Sequence, residues 1–313
     1  VAGFTATTIS PWVGLAVVLV LLTVVASYRQ NVHAYPSGGG DYEVATENLG
    51  PSAGVGVASA LMVDYVLTVA VSISSGAQYA ASAIPALRDH EATFAIVLVA
   101  LLTLVNLRGV KESGRFFAIP VYLFMFAIGV TAVVGFLRHL SGNLPMAESA
   151  TFELVAQPGF DEGLTGLAGA FLIARAFASG CAALTGVEAI SNGVPAFQKP
   201  KSKNAATTLA LLGGISALMI MVILFLAKLT GVHYAENPHE QLSSGGQALP
   251  VDYVQHPVIG QLAEAVFQGV PVAFYIVSAV TGLILVLAAN TAFNGFPVLG
   301  SILAKDGYLP RQL

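Results

Sequence analysis

Ala178-Ser179-Gly180-Cys181-Ala182-Ala183-Leu184-Thr185-Gly186-Val187-Glu188-Ala189-Ile190-Ser191-Asn192 lies inside a long apolar segment, yet it carries a glutamate, two glycines and several hydroxyls. A carboxylate near the middle of a bilayer costs about 2.5–3.5 kcal/mol on insertion scales. Glycine loosens a helix, and in lipid every freed backbone group must find a partner. The stretch is therefore expected to line a polar cavity or pack inside a helical bundle. Secondary transporters hold ions at broken helices of this kind, because unwound carbonyls and half-helix ends act as ligands. The alternative is a packing kink around a neutral glutamate. A second acid in an apolar run, Asp64, favours the functional reading.

Composition sets the class. Of 313 residues, 56% are hydrophobic and 10% charged, with a mean hydropathy of +0.78. Soluble domains carry about 25% charged residues, so this is an integral membrane protein. The net charge of -4 comes without a basic block and gives no sign of nucleic-acid binding. Cys181 is the single cysteine, so no disulfide forms within the chain. The six histidines show no metal-ligand spacing, and no resident cofactor is expected. The chain opens on Val1 with no basic stretch before its first apolar run, unlike a signal peptide. It reads as a chain that begins midway through a longer protein.

Seven apolar segments follow, at about 11–28, 53–83, 92–107, 115–137, 164–192 with a break near 180–186, 204–232 and 270–303. A span takes roughly 20 helical residues. None alternates polar and apolar residues as a β-barrel strand does. The expected fold class is an all-α integral membrane bundle of about seven transmembrane helices, and residues 1–313 form one transmembrane domain. Basic residues orient it. Arg29, then Arg108, Lys111 and Arg115, then Lys199, Lys201 and Lys203, then Lys305 and Arg311 all fall on one side. Arg88 and Arg138 fall on the other. The positive-inside rule places the first set in the cytoplasm. Segment one then starts outside, which suggests a preceding helix.

Loops fit that frame. Tyr35-Pro36-Ser37-Gly38-Gly39-Gly40-Asp41-Tyr42 is a cytoplasmic, turn-rich linker without the lysine-serine pair of a phosphate loop. Pro195 and Pro200 end segment five, and Ser202 or Asn204 is expected to cap segment six. In the outer loop, the stretch from Pro257 to Phe267 is expected to form a short surface helix.

Asp64, Thr68 and Ser72 are spaced i, i+4, i+8, so a helix sets all three on one face. One carboxylate and two hydroxyls make a ladder of oxygens, the ligands a hard cation needs once it is dehydrated. Hydroxyls that only bond back to their own helix are the bland alternative. Thr185 and Glu188 stack at i, i+3, and Glu188 is either a charged cation ligand or a proton carrier. Tyr65, Asn290 and Thr291 are cavity-lining candidates. Interhelical hydrogen bonding is the simpler role for Asn290, Thr291 and Asn294. Arg175 is expected to snorkel or pair.

These motifs together resemble the amino acid–polyamine–organocation (APC) superfamily. The Tyr35–Gly40 linker and Ala304-Lys305-Asp306-Gly307-Tyr308-Leu309-Pro310 are shared broadly by its permeases. Val63–Ser72, Ser179–Asn192 and Leu285–Thr291 are similar to the KimA-type potassium importers of the KUP group. The resemblance implies a LeuT-type fold of inverted repeats, with these segments as family helices two to eight. It also implies proton-coupled potassium uptake by alternating access across a bacterial plasma membrane. Asp64, Thr68, Ser72 and Thr185 would match potassium-binding positions, and Glu188 a proton-coupling or cation-binding one. Family helix one, helices nine to twelve and the cytosolic domain linked to dimerisation and cyclic-di-AMP control lie outside this sequence, so the chain looks like a fragment.

Other classes remain as expectations to weigh. An amino-acid permease of the same superfamily needs an exposed helix N-terminus for the substrate carboxylate. An intramembrane aspartyl protease would use two buried acids, but no Gly-x-Gly-Asp motif is present. A seven-helix receptor matches the segment count alone. Enzymatic activity is not expected.

Overall fold

The computed structural model describes residues 4–36, 40–108, 114–155, 166–184, 186–250 and 253–310. In chain order its helices are α1 (Phe4–Ala34), α2 (Asp41–Leu49), α3 (Pro51–Ala83), α4 (Glu91–Leu107), α5 (Gly114–Leu140), α6 (Gly166–Gly180), α7 (Val187–Asn192), α8 (Lys201–Thr230), α9 (Pro238–Gln241), α10 (Val258–Val266) and α11 (Pro271–Lys305). Among the described residues five are long and apolar enough to cross a membrane: α1 over Ser10–Ala34, α3, α5 over Ala118–Leu140, α8 and α11. Two more apolar stretches, α4 and Gly169–Gly180 of α6, are shorter. At 1.5 Å per residue the 17 residues of α4 reach about 25 Å, a little under the hydrocarbon thickness.

Local chemistry explains the helix ends. Gly50 takes φ 93°, a conformation only glycine adopts cheaply, and Pro51 follows at the first helical position of α3. Ile84 is extended ahead of Pro85, which stops that helix. The fifth apolar segment divides: α6 ends at Gly180, a 3-10 turn covers Cys181–Leu184, and Gly186 at φ 103° leads into α7. By contrast α11 runs unbroken for 35 residues through Pro297. The expected caps of segment six are corrected. Helix α8 starts at Lys201, so Ser202 and Asn204 lie within its first turn. Pro200 stands immediately before it, where a missing N–H costs nothing.

Two compact units divide the chain, each built from three stretches. The first comprises Val1–Gln30, Ile128–Val187 and Lys203–Phe274. Here small residues allow close helix approach. A Cβ on Gly213 of α8 would stand 2.9 Å from Val25 of α1, and one on Gly180 would stand 2.7 Å from Val17 of the same helix. Gly135 of α5 likewise faces Leu226 and Val266.

The loops of this unit carry structure that the apolar pattern did not announce. Strands β1 (Glu153–Leu154), β2 (Leu242–Ser244) and β3 (Gln247–Ala248) form a small antiparallel sheet in that order. Glu153 pairs with Ser243 and Leu154 with Leu242. Ala235, Leu242 and Leu249 make its apolar core, with Phe152 edge-on to Tyr253 at 5.3 Å. The expected surface helix is corrected as well. Helix α10 is buried along Gly260–Ala263 and at Ala265 and Val266. Its Gln261 holds the loops together: Ser149 Oγ donates to Gln261 Oε1 at 2.5 Å, and Gln261 Nε2 donates to the carbonyls of His256 and His233 at 2.8 and 3.3 Å. Arg175 meets Glu236 at 3.7 Å with both side chains exposed, a pair of little energetic weight.

The second unit comprises Asn31–Ala127, Glu188–Ser202 and Tyr275–Leu313. Ile73 of α3, Leu102 of α4 and Ala289 of α11 form one core cluster. Gly76 of α3 comes within 3.4 Å, measured from its ideal Cβ, of the Gly282 carbonyl on α11. Asn106 Nδ2 on α4 donates to Asn290 Oδ1 on α11 at 2.8 Å. The short helix α2 lies on α3, with Thr46 filling the space over Gly54. Tyr42, Ala58, Leu299 and Leu303 close a second core cluster.

Candidate ion-binding site

The site grows from α3 and α7, both supplying residues to the second unit. On α3 the i, i+4, i+8 spacing places Asp64, Thr68 and Ser72 along one stripe. Asp64 is exposed on the protein surface, and Thr68 and Ser72 are half-buried. A 320 Å³ groove on this helix is lined by Met62, Val63, Val66, Leu67 and Phe296. Val63 and Val66 point away from the Asp64 stripe, at the roughly 100° per residue of an α-helix, and Leu67 lies at its edge. That groove is apolar and cannot serve the oxygen ladder.

One residue further along α3, Tyr65 turns toward α7. Its hydroxyl donates to Glu188 Oε1 at 3.3 Å. Asn192 Nδ2, four residues beyond Glu188 on the same helical face, donates to that same oxygen at 3.1 Å. Helix α11 shapes the Tyr65 ring: a Cβ on Gly295 would lie 3.0 Å from Tyr65 Cζ, so the ring rests against bare backbone. Asp41, the first residue of α2, and Asp64 both act electrostatically on Glu188 and on Tyr65. Negative charge therefore gathers around one phenol and one carboxylate. Among the described residues no three His, Cys, Asp or Glu side chains converge closely enough to hold a resident metal.

The remaining sequence candidates divide. Thr185 lies outside the described residues, as do Ser37, Gly38 and Gly39 of the linker and Lys111 and Arg311 among the orienting charges. Asn290 is buried and bonded to Asn106. Thr291 is exposed, and its hydroxyl donates back to the Leu287 carbonyl of its own helix at 3.2 Å. Sequence reasoning assigned no role to Asn192, Gly295 or Gly40. The i, i+4 spacing of Glu188 and Asn192 was the readable signal for the first. The two glycines gave none, because their neighbours are distant in the chain.

A family model described as "Amino acid permease" matches residues 1–313. The chain belongs to the amino acid permease family. Within this family it is similar to the potassium transporter KimA of Bacillus subtilis (strain 168), at 43% identity over 303 residues. That alignment covers 96% of this chain and 45% of KimA. It is also similar to the low-affinity putrescine importer PlaP of Escherichia coli (strain K12), at 30% identity over 115 residues, or 37% of this chain and 25% of PlaP. The chain thus spans about half the length of one curated relative and a quarter of the other. Amino acid permeases are transporters rather than enzymes, and the long apolar helices of this one make it a multi-pass membrane protein.

Proposed function

We propose that this chain is part of a secondary active transporter, covering family helices two to eight, that imports potassium coupled to protons by alternating access. The observation that carries the reading is the Glu188 carboxyl, gripped on one oxygen by Tyr65 and Asn192 just after a broken helix and flanked by Asp41 and Asp64. A bare cation needs oxygen ligands with negative charge nearby, and the Glu188 carboxyl with its flanking acids would supply both. Similarity to a potassium transporter across nearly the whole chain supports the same cargo.

In this reading Asp64, Thr68, Ser72 and Thr185 supply oxygens to potassium, and Glu188 takes and releases the proton or assists cation binding. Tyr65, Asn290 and Thr291 would line the path. The seven apolar segments act as transmembrane helices of a LeuT-type inverted-repeat bundle in one transmembrane domain. The linkers around Gly38, Lys111 and Lys201 face the cytoplasm. In its full natural length the protein forms a homodimer in the bacterial plasma membrane.

A second reading, an amino acid or polyamine permease, draws on the family description and on the partial likeness to a putrescine importer. The same acids would then meet an ammonium group. The deciding experiment is uptake of radioactive rubidium by the full natural length protein in proteoliposomes under an inward proton gradient. Rubidium accumulation that potassium suppresses and putrescine or amino acids leave untouched supports the first reading. Putrescine or amino-acid uptake without rubidium uptake supports the second.

A further inference from the structure

One amide group lies between the Glu188 carboxyl and the start of α2. Asn192 Nδ2 donates to Glu188 Oε1. On its other side, the Asn192 Oδ1 atom occupies the space beside Gly40: a Cβ built there would stand 2.0 Å from Oδ1 and 2.9 Å from Cγ. Gly40 has φ -72° and ψ -174°, angles open to any residue. Glycine is needed at this position for room and not for backbone conformation. Gly40 is also the N-cap of α2, and its carbonyl accepts the first helical bond, from Val44 N at 3.1 Å.

We infer that Asn192 is a positioning residue that makes the Glu188 carboxyl sense the seat of α2. This goes beyond the transport reading above and rests on it for its functional meaning. Among the described residues, both donors to Glu188 fall on Oε1, so Oε2 is the oxygen open to a proton or cation. Two donors from different helices, Tyr65 on α3 and Asn192 on α7, fix which way Oε2 points. Asn192, an exposed residue, keeps its place only while position 40 carries no side chain. A shift of α2 toward α7 drives the amide off the carboxyl. A shift away removes the wall against which the amide rests. Either movement alters the donor set of Glu188 without touching it directly. Helix α2 is well suited to such a role: it is nine residues long, sits on α3 through Thr46 and Gly54, and starts at the residue after the one that meets Asn192.

The test is a double-mutant cycle in the full natural length protein, with rubidium uptake and infrared spectroscopy as readouts. Asn192→Ala removes the donor, and Gly40→Ala expels it. Each should lower the rubidium uptake rate about tenfold, the low end for losing a hydrogen bond to a carboxylate. The double variant should lose no more than Asn192→Ala alone, because the methyl added at position 40 then has nothing to displace. Losses that multiply to about a hundredfold would show two unrelated effects and overturn the inference, as would full uptake by Gly40→Ala. The carboxyl band assigned by Glu188→Gln should shift in both single variants, and an unmoved band also overturns it. The infrared arm needs no transport, so a wild type that takes up no rubidium refutes the proposed cargo while leaving this inference decided. If Gly40→Ala alone does not fold, the double variant should fold; its failure would place the defect elsewhere than at Asn192 and overturn the inference.

Discussion

The Tyr42 hydroxyl donates to the Asp306 carboxylate at 2.6 Å across 264 residues of sequence. Tyr42 lies in the first turn of α2, and Asp306 stands one residue beyond the end of α11. The phenol is buried with Ala58, Leu299 and Leu303 while its hydroxyl reaches the carboxylate at the helix end. A nine-residue helix with low apolar content has little hold of its own. This bond and its seat on α3 keep α2 in place.

Tyr42→Phe should therefore lower thermal stability, by about 1.5–3 kcal/mol if the hydrogen bond to a charged group behaves typically. Asp306→Asn should cost a similar amount. The two changes together should cost less than their sum, since they remove one interaction. Thermal unfolding of the four proteins in detergent measures this, and strict additivity would deny the pairing.

The same phenol gives a pH expectation. Burial, followed by the hydrogen bond and the negative charge of Asp306, pushes the Tyr42 phenol up to about 12. The neutral form is the one the fold favours. Its contribution is complete below about pH 10, the ordinary phenol value, and is lost as pH rises through about 12. In an alkaline absorbance titration, the difference between wild type and Tyr42→Phe should show one phenol ionising near 12. A phenol ionising at about 10, its ordinary value, would contradict the buried contact.

Two neighbouring glycines of α3 should behave oppositely. A Cβ on Gly54 would stand 1.9 Å from Thr46 Oγ1 and 3.2 Å from the Thr46 backbone, so Gly54→Ala must lift α2 from α3. Gly56, two residues later, has open space around its Cβ position. Gly54→Ala should destabilise by about 1–3 kcal/mol through overpacking. Gly56→Ala should be neutral or stabilise by up to about 1 kcal/mol, because alanine suits a helix interior better. Unfolding midpoints of the two variants decide it.

Glu188→Gln keeps shape and hydrogen bonding but removes titration. In the full natural length protein it should abolish proton-driven rubidium accumulation and retain some cation binding. Wild-type accumulation with unchanged pH dependence would move coupling to another group, with Asp64 next. Loss of binding together with accumulation would make Glu188 a cation ligand instead.

The orientation proposal is tested by single cysteines at Gly38, Lys111 and Lys201 and in the 233–264 loop, in a background with Cys181 replaced. Membrane-impermeant reagent added outside should label the loop position and spare the other three. Strong outside labelling at Lys201 with none in the loop would invert the topology.

What the sequence determined by itself is what depends on neighbours in the chain. Apolar runs of about 20 residues must satisfy their backbone internally, so helices in a membrane follow from composition and length. The glycines at 180 and 186 mark a place where helix costs more, and α6 and α7 are separate helices there. The i, i+4 register that lets Asn192 reach Glu188 was likewise present in the string.

The rest was decided by tertiary structure. Tyr65 meets Glu188 across 123 residues and Tyr42 meets Asp306 across 264, and no local pattern encodes such partners. The stretch from Pro257 to Phe267 reads as a short surface helix, but the loops from Ser149 and His233 bond to the glutamine of α10, which is buried. Gly40 and Gly295 look like loop and helix glycines in the sequence. Only the packed neighbours, Asn192 and the Tyr65 ring, show that each leaves room for a side chain from another segment. Local propensity acts over a turn or two of backbone, whereas a site is assembled by packing between segments that meet only after folding.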